Sequence, residues 1–336
     1  MSGAIRPGGL ASPTAGGYSL GDLGLLGVLG VVWGIAYVFI REGILLGATP
    51  LAYAAARYAL SAAAFAAVAA GRREAFPARR NLAVSAAVGG ILVIGLYGGF
   101  LYWGEQYTTG GYASVLSTTA PILTVVIAYG ILPNERLTPL ALLGIAVGFV
   151  GAVVLVLPSL VAGPAGTAEG PLFVLGAFVV AALGSVLLRA YGGGRQGLWQ
   201  IGTQFAVAGL LLGTASLLLP TREALPLTPA VLGALAALVV LSSVLGYLTY
   251  FALHHRVGPI RANAVTYLIP LVGVAVGTGV YGESVTPFEI AGFVIVLAGM
   301  TLLVRASRAG PATGPGGSAA LPAGIGSTAA ATSERR

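Results

Sequence analysis

Two stretches of the sequence repeat each other, and this duplication constrains the fold more than any other feature of the chain. Residues 111–156 align with residues 258–304 once a single-residue gap is allowed, and Ala113 then matches Ala262, 149 positions further on. Any fold assigned to this chain must therefore contain the same unit twice.

Long apolar stretches fill both copies. Hydrophobic residues make up 57% of the chain and charged residues 8%, whereas soluble domains carry about 25% charged residues. A helix needs about 20 apolar residues to cross the hydrocarbon core of a bilayer. The sequence therefore predicts an all-α integral membrane protein with ten transmembrane helices, at residues 20–41, 50–70, 81–103, 112–132, 138–157, 171–191, 198–219, 229–253, 262–281 and 287–304.

These spans divide the chain into two units of five helices. We expect a first repeat at 20–157, a linker at 158–170 and a second repeat at 171–304, with disordered tails at 1–19 and 305–336 rich in small residues. Five is an odd number, so the second repeat starts on the opposite side of the membrane and is inverted. Inverted repeats are typical of secondary transporters, whose solute cavity lies between the repeats near the centre of the bilayer.

The positive charges indicate the orientation. All 17 basic residues are arginines, and with the N-terminus inside, 14 lie on the inner side, Arg41 and Arg222 lie outside, and Arg57 lies within a span. This bias predicts a cytoplasmic (inner) membrane protein with both termini in the cytoplasm. Because the charges sit between spans, the net charge of +7 does not indicate a nucleic-acid partner.

Enzymatic chemistry has little support in the sequence. The chain has no cysteine, and it lacks a Ser-His pairing, an HExxH motif and a phosphate-binding loop. We therefore expect no catalytic residues, no cofactor and no metal site. The alternatives to a carrier that stay open are a passive channel or facilitator, and a membrane-embedded enzyme.

The motifs of the two halves resemble those of the drug/metabolite transporter superfamily, specifically the ten-helix proteins built from two EamA-type repeats. The resemblance covers residues 20–304. Its first half rests on Trp33-Gly34, Tyr37, Pro50, Arg57-Tyr58, Gly104-Glu105-Gln106-Tyr107, Ala113, Pro121, Glu135, Thr138 and Gly144, and its second half on Gly258, Arg261-Ala262, Pro270, Gly282-Glu283, Thr286 and Gly292.

The resemblance implies a secondary transporter that moves small organic solutes across the membrane by alternating access, in most cases outward. Amino acids, other metabolites and drugs are the solute classes it suggests, with a proton as a candidate coupling ion and the lipid bilayer as surroundings. We expect a monomer or a weak homodimer. The second half departs from the first, with Ala182 near the Trp33 position and Gln204 at the Arg57 position, so the halves are chemically unequal.

Polar residues recur at helical spacing in both copies. Positions i, i+3, i+4 and i+7 share one helix face, and a proline in a helix leaves a backbone carbonyl without its usual donor. These faces either line the solute pathway or join helices by hydrogen bonds. They consist of Ser114, Ser117, Thr118 and the helix-breaking Pro121 in the fourth span, and of Asn263, Thr266, Tyr267 and the helix-breaking Pro270 in the ninth.

Aromatic and ionisable residues complete the predicted site. Trp33, Tyr37, Tyr102 and Tyr247 lie deep in their spans and either contact solute or sit at the interface. Arg57 lies within the second span, where charge is costly. With Glu105 it either forms an outer gate or binds a charged solute group, or else both are solvated.

Proton handling and close helix packing are two further expectations. Glu105 and its counterpart His254 are candidates for gating and proton coupling. Thr138 and Thr286 are expected to cap helices that start with proline. The glycines of the fifth and tenth spans are expected to mediate close helix contacts; these are Gly144, Gly148, Gly151, Gly292 and Gly299.

Overall fold

The structure, a computed structural model, describes residues 19–132, 138–161, 168–192, 196–219, 225–257, 262 and 264–309. Within these ranges the chain is all-helical and has no β-strand, which confirms the predicted fold class at this level. In the same ranges it forms ten helices of at least 17 residues. These are α1 Leu20–Leu45, α2 Pro50–Gly71, α3 Arg79–Gly104, α4 Gly110–Ile131, α5 Pro139–Val161, α6 Glu169–Tyr191, α7 Leu198–Leu218, α8 Pro229–Val257, α9 Val265–Tyr281 and α10 Pro287–Ala309.

Seven helices in the described part of the chain, α1 to α4 and α6 to α8, are long and apolar enough to cross a membrane. The remaining predicted spans correspond to shorter apolar stretches at Pro139–Leu155, Val265–Tyr281 and Pro287–Leu303. The helices thus follow the predicted apolar runs to within a few residues, while ten membrane crossings stay a prediction.

Threonine caps begin α5 and α10, two of the helices that start with proline. The Thr138 hydroxyl accepts the Ala141 N–H at 3.2 Å, and the Thr286 hydroxyl accepts the Glu289 N–H at 3.2 Å. Proline suits the first helical position because the N–H it lacks has no acceptor there. The predicted capping role of both threonines is confirmed.

Glycines allow α5 and α10 to touch backbone to backbone. A methyl group added at Gly299 would lie 2.4 Å from the Gly148 nitrogen, one at Gly144 would lie 2.8 Å from the Gly299 carbonyl oxygen, and one at Gly292 would lie 2.9 Å from the Gly151 carbonyl oxygen. Such approaches leave no space for a Cβ atom, so the predicted close contact between these helices is confirmed.

The other eight helices pack around a common centre. α2 packs on α7 and α8, α1 packs on α8 and α9, α3 packs on α6 and α7, and α4 packs on α6 and α9. Two of these helices carry π-helical segments, Ser85–Leu96 in α3 and Leu238–Leu245 in α8. A π-helical turn widens the helix and shifts its hydrogen bonds, a feature that often accompanies functional sites.

Candidate functional site

A cavity of about 270 Å³ lies between the eight central helices. Each of α1 to α4 and α6 to α9 contributes at least one side chain to its wall. The structure brings six of the predicted site residues together here, namely Trp33, Tyr37, Arg57, Ser117, Tyr247 and Thr266.

Several wall residues were missed from the sequence. They include the aromatic residues Tyr58, Tyr97, Phe178 and Phe205, and the hydroxyl of Ser242. Aromatic residues in apolar spans do not reveal which way they point. Ser242 did carry a signal, because Ser242-Ser243 is a polar pair in an otherwise apolar run of α8.

Most hydroxyls of the predicted polar face on α4 bond to their own helix. Ser114 donates to the Gly111 carbonyl at 2.6 Å, Ser117 to the Ser114 carbonyl at 2.6 Å, and Thr118 to the Val115 carbonyl at 2.7 Å. Ser117 lines the cavity, whereas Ser114 and Thr118 are buried outside its wall. Neither interpretation had included this intrahelical bonding.

The two prolines lie close to the cavity. Residues Ser117–Thr119 form a 3₁₀ turn directly before Pro121, and proline at that position cannot donate to the Ser117 carbonyl. Pro270 lies inside α9 and is buried, and it cannot donate the usual backbone hydrogen bond to the carbonyl of Thr266, a cavity residue. Both prolines therefore lie one helical turn after a residue of the cavity wall.

Arg57 is the charged residue of the cavity wall. Its side chain is 8% exposed and donates from Nη1 to the Tyr102 hydroxyl at 3.1 Å, from Nη2 to the Ser242 hydroxyl at 2.9 Å, and from Nε to the Ser243 hydroxyl at 3.4 Å. Its guanidinium carbon lies 5.5 Å from the centre of the Tyr58 ring. Tyr102 therefore contacts Arg57 from behind the wall and does not line the cavity itself.

Aromatic rings form much of the rest of the wall. Trp33 lies 5.9 Å from Tyr247 and donates from Nε1 to the Ser242 carbonyl at 3.1 Å. Phe205 lies 5.5 Å from Tyr247 and 5.6 Å from Tyr58. Rings packed edge to face at these distances form a rigid apolar surface.

Glu105 lies at the C-terminal end of α3, directly after its last residue. It is fully buried, and both of its carboxylate oxygens lack a hydrogen-bond partner. The Arg41 guanidinium donates to the backbone carbonyls of Glu105 and Gln106, the latter at 2.7 Å. Burial raises the pKa of the Glu105 carboxyl well above its ordinary value; the charges of Arg41 and Arg57 oppose this, and that of Glu283 adds to it.

The structure does not pair Glu105 with Arg57, since the donors of Arg57 go to hydroxyl groups. Two other predicted residues lie away from the cavity wall, and a third lies outside the described residues. His254 lies near the C-terminal end of α8, with its ring 5.8 Å from that of Tyr250. Tyr267 follows Thr266 on α9 but is not part of the wall, and Asn263 lies outside the described residues.

A second polar cluster lies toward the N-terminal ends of α3 and α7. The Gln204 amide donates to the Ser85 hydroxyl at 2.7 Å and to the Gln196 side-chain oxygen at 2.8 Å. Ser85 opens the π-helical segment of α3, and Gln204 is 2% exposed. This cluster joins α3 to α7 through neutral groups.

A smaller cavity of about 180 Å³ lies between α1, the start of α4 and the end of α9. Arg41, Glu42, Thr109 and Glu283 contribute to its wall. The Glu283 carboxylate accepts the Gly111 N–H at 2.9 Å, so this residue fixes the start of α4. No group of three or more His, Cys, Asp or Glu side chains that could hold a metal ion occurs within the described ranges.

Comparison with known sequences places the chain in a family. The sequence model of the EamA-like transporter family matches residues 20–157 and 168–305, which together make up most of the protein. The chain belongs to this family.

Individual relatives agree with this assignment. The chain is 27% identical over 295 residues to the uncharacterized inner membrane transporter YedA of Escherichia coli (strain K12), covering 86% of this chain and 92% of the relative. It is 29% identical over 290 residues to a probable terminal-alkyne amino-acid exporter of Streptantibioticus cattleyicolor, covering 82% and 90%. A protein crystal structure with 16% identity superposes with a TM-score of 0.59 over 87% of this chain and 100% of its own, which indicates a shared fold.

Proposed function

We propose that this member of the EamA-like family is a secondary active transporter that exports amino acids or related small metabolites by alternating access. The observation that carries the proposal is the cavity of about 270 Å³ enclosed by eight helices from both halves of the chain. A site shared between two halves can change its access when one half moves against the other. Relatives named as transporters, one of them a probable amino-acid exporter, support the same function.

The proposed architecture has ten crossings in two inverted repeats, 20–157 and 171–304, with the linker 158–170 between them. The helix packing supports it, because exchanging the repeats turns one observed pair into another. α1 with α9 becomes α6 with α4, and α2 with α8 becomes α7 with α3. In this arrangement both termini face the cytoplasm, and the cavity is complete within one chain, which suits a monomer or a weak homodimer.

The residues are assigned the following roles within the proposal. The solute contacts the six wall residues of the predicted site, while Tyr102, Ser114, Thr118 and Tyr267 shape the helices behind them. Asn263 keeps its predicted role as a cavity residue. Glu105 and His254 serve gating and proton coupling, and the helix breaks at Pro121 and Pro270 allow the wall to move.

Solute counterflow in proteoliposomes tests this function. Vesicles loaded with an unlabelled amino-acid mixture should accumulate labelled amino acid transiently, because a carrier exchanges one solute for another. Ala120→Trp, which fills the cavity from α4, should abolish the exchange. Ala63→Trp on the exposed side of α2 is the matched control and should leave it intact.

Two results would contradict the proposal. Flux that rises linearly with concentration and shows no acceleration by solute on the other side would indicate a channel or facilitator. Equal counterflow in Ala120→Trp and in wild type would mean that the solute takes a different path.

A further inference from the structure

The guanidinium of Arg57 borders the cavity and has hydrogen-bonding capacity that its described partners leave unused. An arginine side chain carries five N–H groups, one on Nε and two on each terminal nitrogen. Tyr102, Ser242 and Ser243 each take one of them, one from every nitrogen. One N–H on each terminal nitrogen is left, and a carboxylate can accept two such donors at once.

Arg57 also lacks an ion-pair partner among the described residues. Among the residues that the structure describes, no carboxylate oxygen lies within 4.0 Å of its guanidinium, and Glu105 does not reach it. Hydroxyl groups solvate a cation without neutralising it, and a buried cation that lacks a counter-charge is costly. The side chain is more than nine-tenths buried and borders the cavity, so an anion bound in the cavity would supply the missing charge.

The rest of the wall favours an apolar group at the other end of the ligand. Trp33, Phe178, Phe205 and Tyr247 present rings, and Ile269 adds an aliphatic surface. None of the wall residues in the described part of the chain is acidic, so an ammonium group would find no opposite charge there. A volume of about 270 Å³ lies just below the roughly 300–1,000 Å³ of small-molecule sites, which suits a small metabolite.

We infer that the cavity recognises amphipathic carboxylates, which Arg57 holds by a two-pronged pair of hydrogen bonds while their apolar group lies against the aromatic wall. Amino acids would bind through their carboxylate, and an amino group would not be required. This inference rests on the proposed function in taking the cavity as the solute site, and it adds the chemical class of the solute.

Four compounds with one phenyl group and different polar ends test the inference on the purified wild-type protein. They are 3-phenylpropionate, phenylalanine, 3-phenylpropanamide and 3-phenylpropylamine, and thermal stabilisation in detergent reports their binding. Both carboxylates should bind at least about tenfold more tightly than the amide and the amine, as the loss of charge-assisted hydrogen bonds predicts. Equal binding of amide or amine, or no binding by either carboxylate, would overturn the inference.

Variants connect the preference to Arg57. Arg57→Gln should abolish the preference for carboxylates, and Arg57→Lys should retain part of it, because lysine keeps the charge but lacks the planar fork. Arg80→Gln removes an exposed arginine at the inner end of α3 and is the matched control. A carboxylate preference that persists in Arg57→Gln would contradict the assignment.

Counterflow on the same preparations separates this inference from the proposed function. Carboxylate binding that depends on Arg57 without any counterflow would support the inference and contradict transport. Exchange of amines or neutral solutes, together with failure of both carboxylates to bind, would support transport and contradict the inference.

Discussion

Two polar clusters occupy corresponding places in the two halves of the molecule, and they differ in charge. In one, Arg57 of α2 donates to Ser242 and Ser243 in the π-helical segment of α8. In the other, Gln204 of α7 donates to Ser85 in the π-helical segment of α3. The same type of contact is made twice, once by a cation and once by a neutral amide.

The difference separates the scaffold from its chemistry. Both clusters join a straight helix to a π-helical segment, so both contribute to packing. The Arg57 cluster borders the cavity and keeps two N–H groups unused, whereas the Gln204 amide is taken up by Ser85 and Gln196. In the proposed site the charged group thus comes from the first half, whereas the corresponding contact made by the second half is neutral.

Gln204→Arg should have the largest effect, because it gives the Gln204 cluster the same charge as the Arg57 cluster. A methyl group added to Gly89 would already lie 2.4 Å from the Gln204 side-chain carbon, so the larger guanidinium has no room. We expect a loss of about 3–5 kcal/mol of stability, as for other buried charges without a partner. Melting temperature and recovery on size-exclusion chromatography measure it.

Gln204→Met serves as the control, because it removes the hydrogen bonds without adding charge. It should be better tolerated than Gln204→Arg. If Gln204→Arg instead has the melting temperature of the wild type, the Gln204 cluster can carry a charge. The two halves are then more alike than their sequences suggest.

Ser242→Ala weakens the Arg57 cluster by removing the hydroxyl acceptor that lies 2.9 Å from Nη2 of Arg57. Hydrogen bonds to charged groups contribute about 1.5–3 kcal/mol, so the melting temperature should fall clearly. Ser243→Ala is the matched control, and its smaller expected effect follows from the longer 3.4 Å contact with Nε. Equal effects of the two substitutions would contradict the geometry described for Arg57.

Ser85→Ala makes the equivalent change in the Gln204 cluster and should reduce the stability of the folded protein by less. Gln204 keeps its bond to Gln196 at 2.8 Å, and a bond between neutral groups contributes about 0.5–1.5 kcal/mol. Ser216→Ala, which removes a bond within α7 to the Gly213 carbonyl, is the control for the loss of a hydroxyl. A larger loss for Ser85→Ala than for Ser242→Ala would reverse the proposed inequality between the halves.

The sequence was sufficient for the helices but only partly for the site. Apolar runs and Thr-Pro caps specify where helices begin and end, since both act over a few neighbouring residues. The match of Gln204 to the Arg57 position followed from the repeat. By contrast, the hydroxyls that Arg57 bonds lie 45, 185 and 186 residues away, and local patterns do not specify such pairs.

The direction of side chains was the other limit of the sequence. Ser114 and Thr118 share a helix face with Ser117, yet of these three only Ser117 lines the cavity. The 3₁₀ turn before Pro121 rotates these positions relative to an ideal helix, so helical spacing alone overestimated the polar surface of the cavity. Phe178 and Phe205 were missed for the complementary reason, because an aromatic residue in an apolar span has no polar signal.

The comparison extends to proton handling at the ends of α3 and α8, where Glu105 and its counterpart His254 lie. The smallest expected effect is the difference in melting temperature between wild type and a Glu105 variant near pH 5. The folded state favours the neutral Glu105 carboxyl, because burial raises its pKa. Between the ordinary and the raised pKa the folded protein binds more protons than the unfolded chain, so its stability falls as pH rises through that range. Glu105→Gln removes this dependence without changing the shape of the side chain. The two proteins should therefore melt alike near pH 5, and the variant should melt higher at pH 8, whereas the partly exposed Glu42 changed to Gln provides the control. Parallel melting curves of wild type and Glu105→Gln across this range would show that Glu105 does not respond to pH, and would leave the outer end of α3 without a proton site.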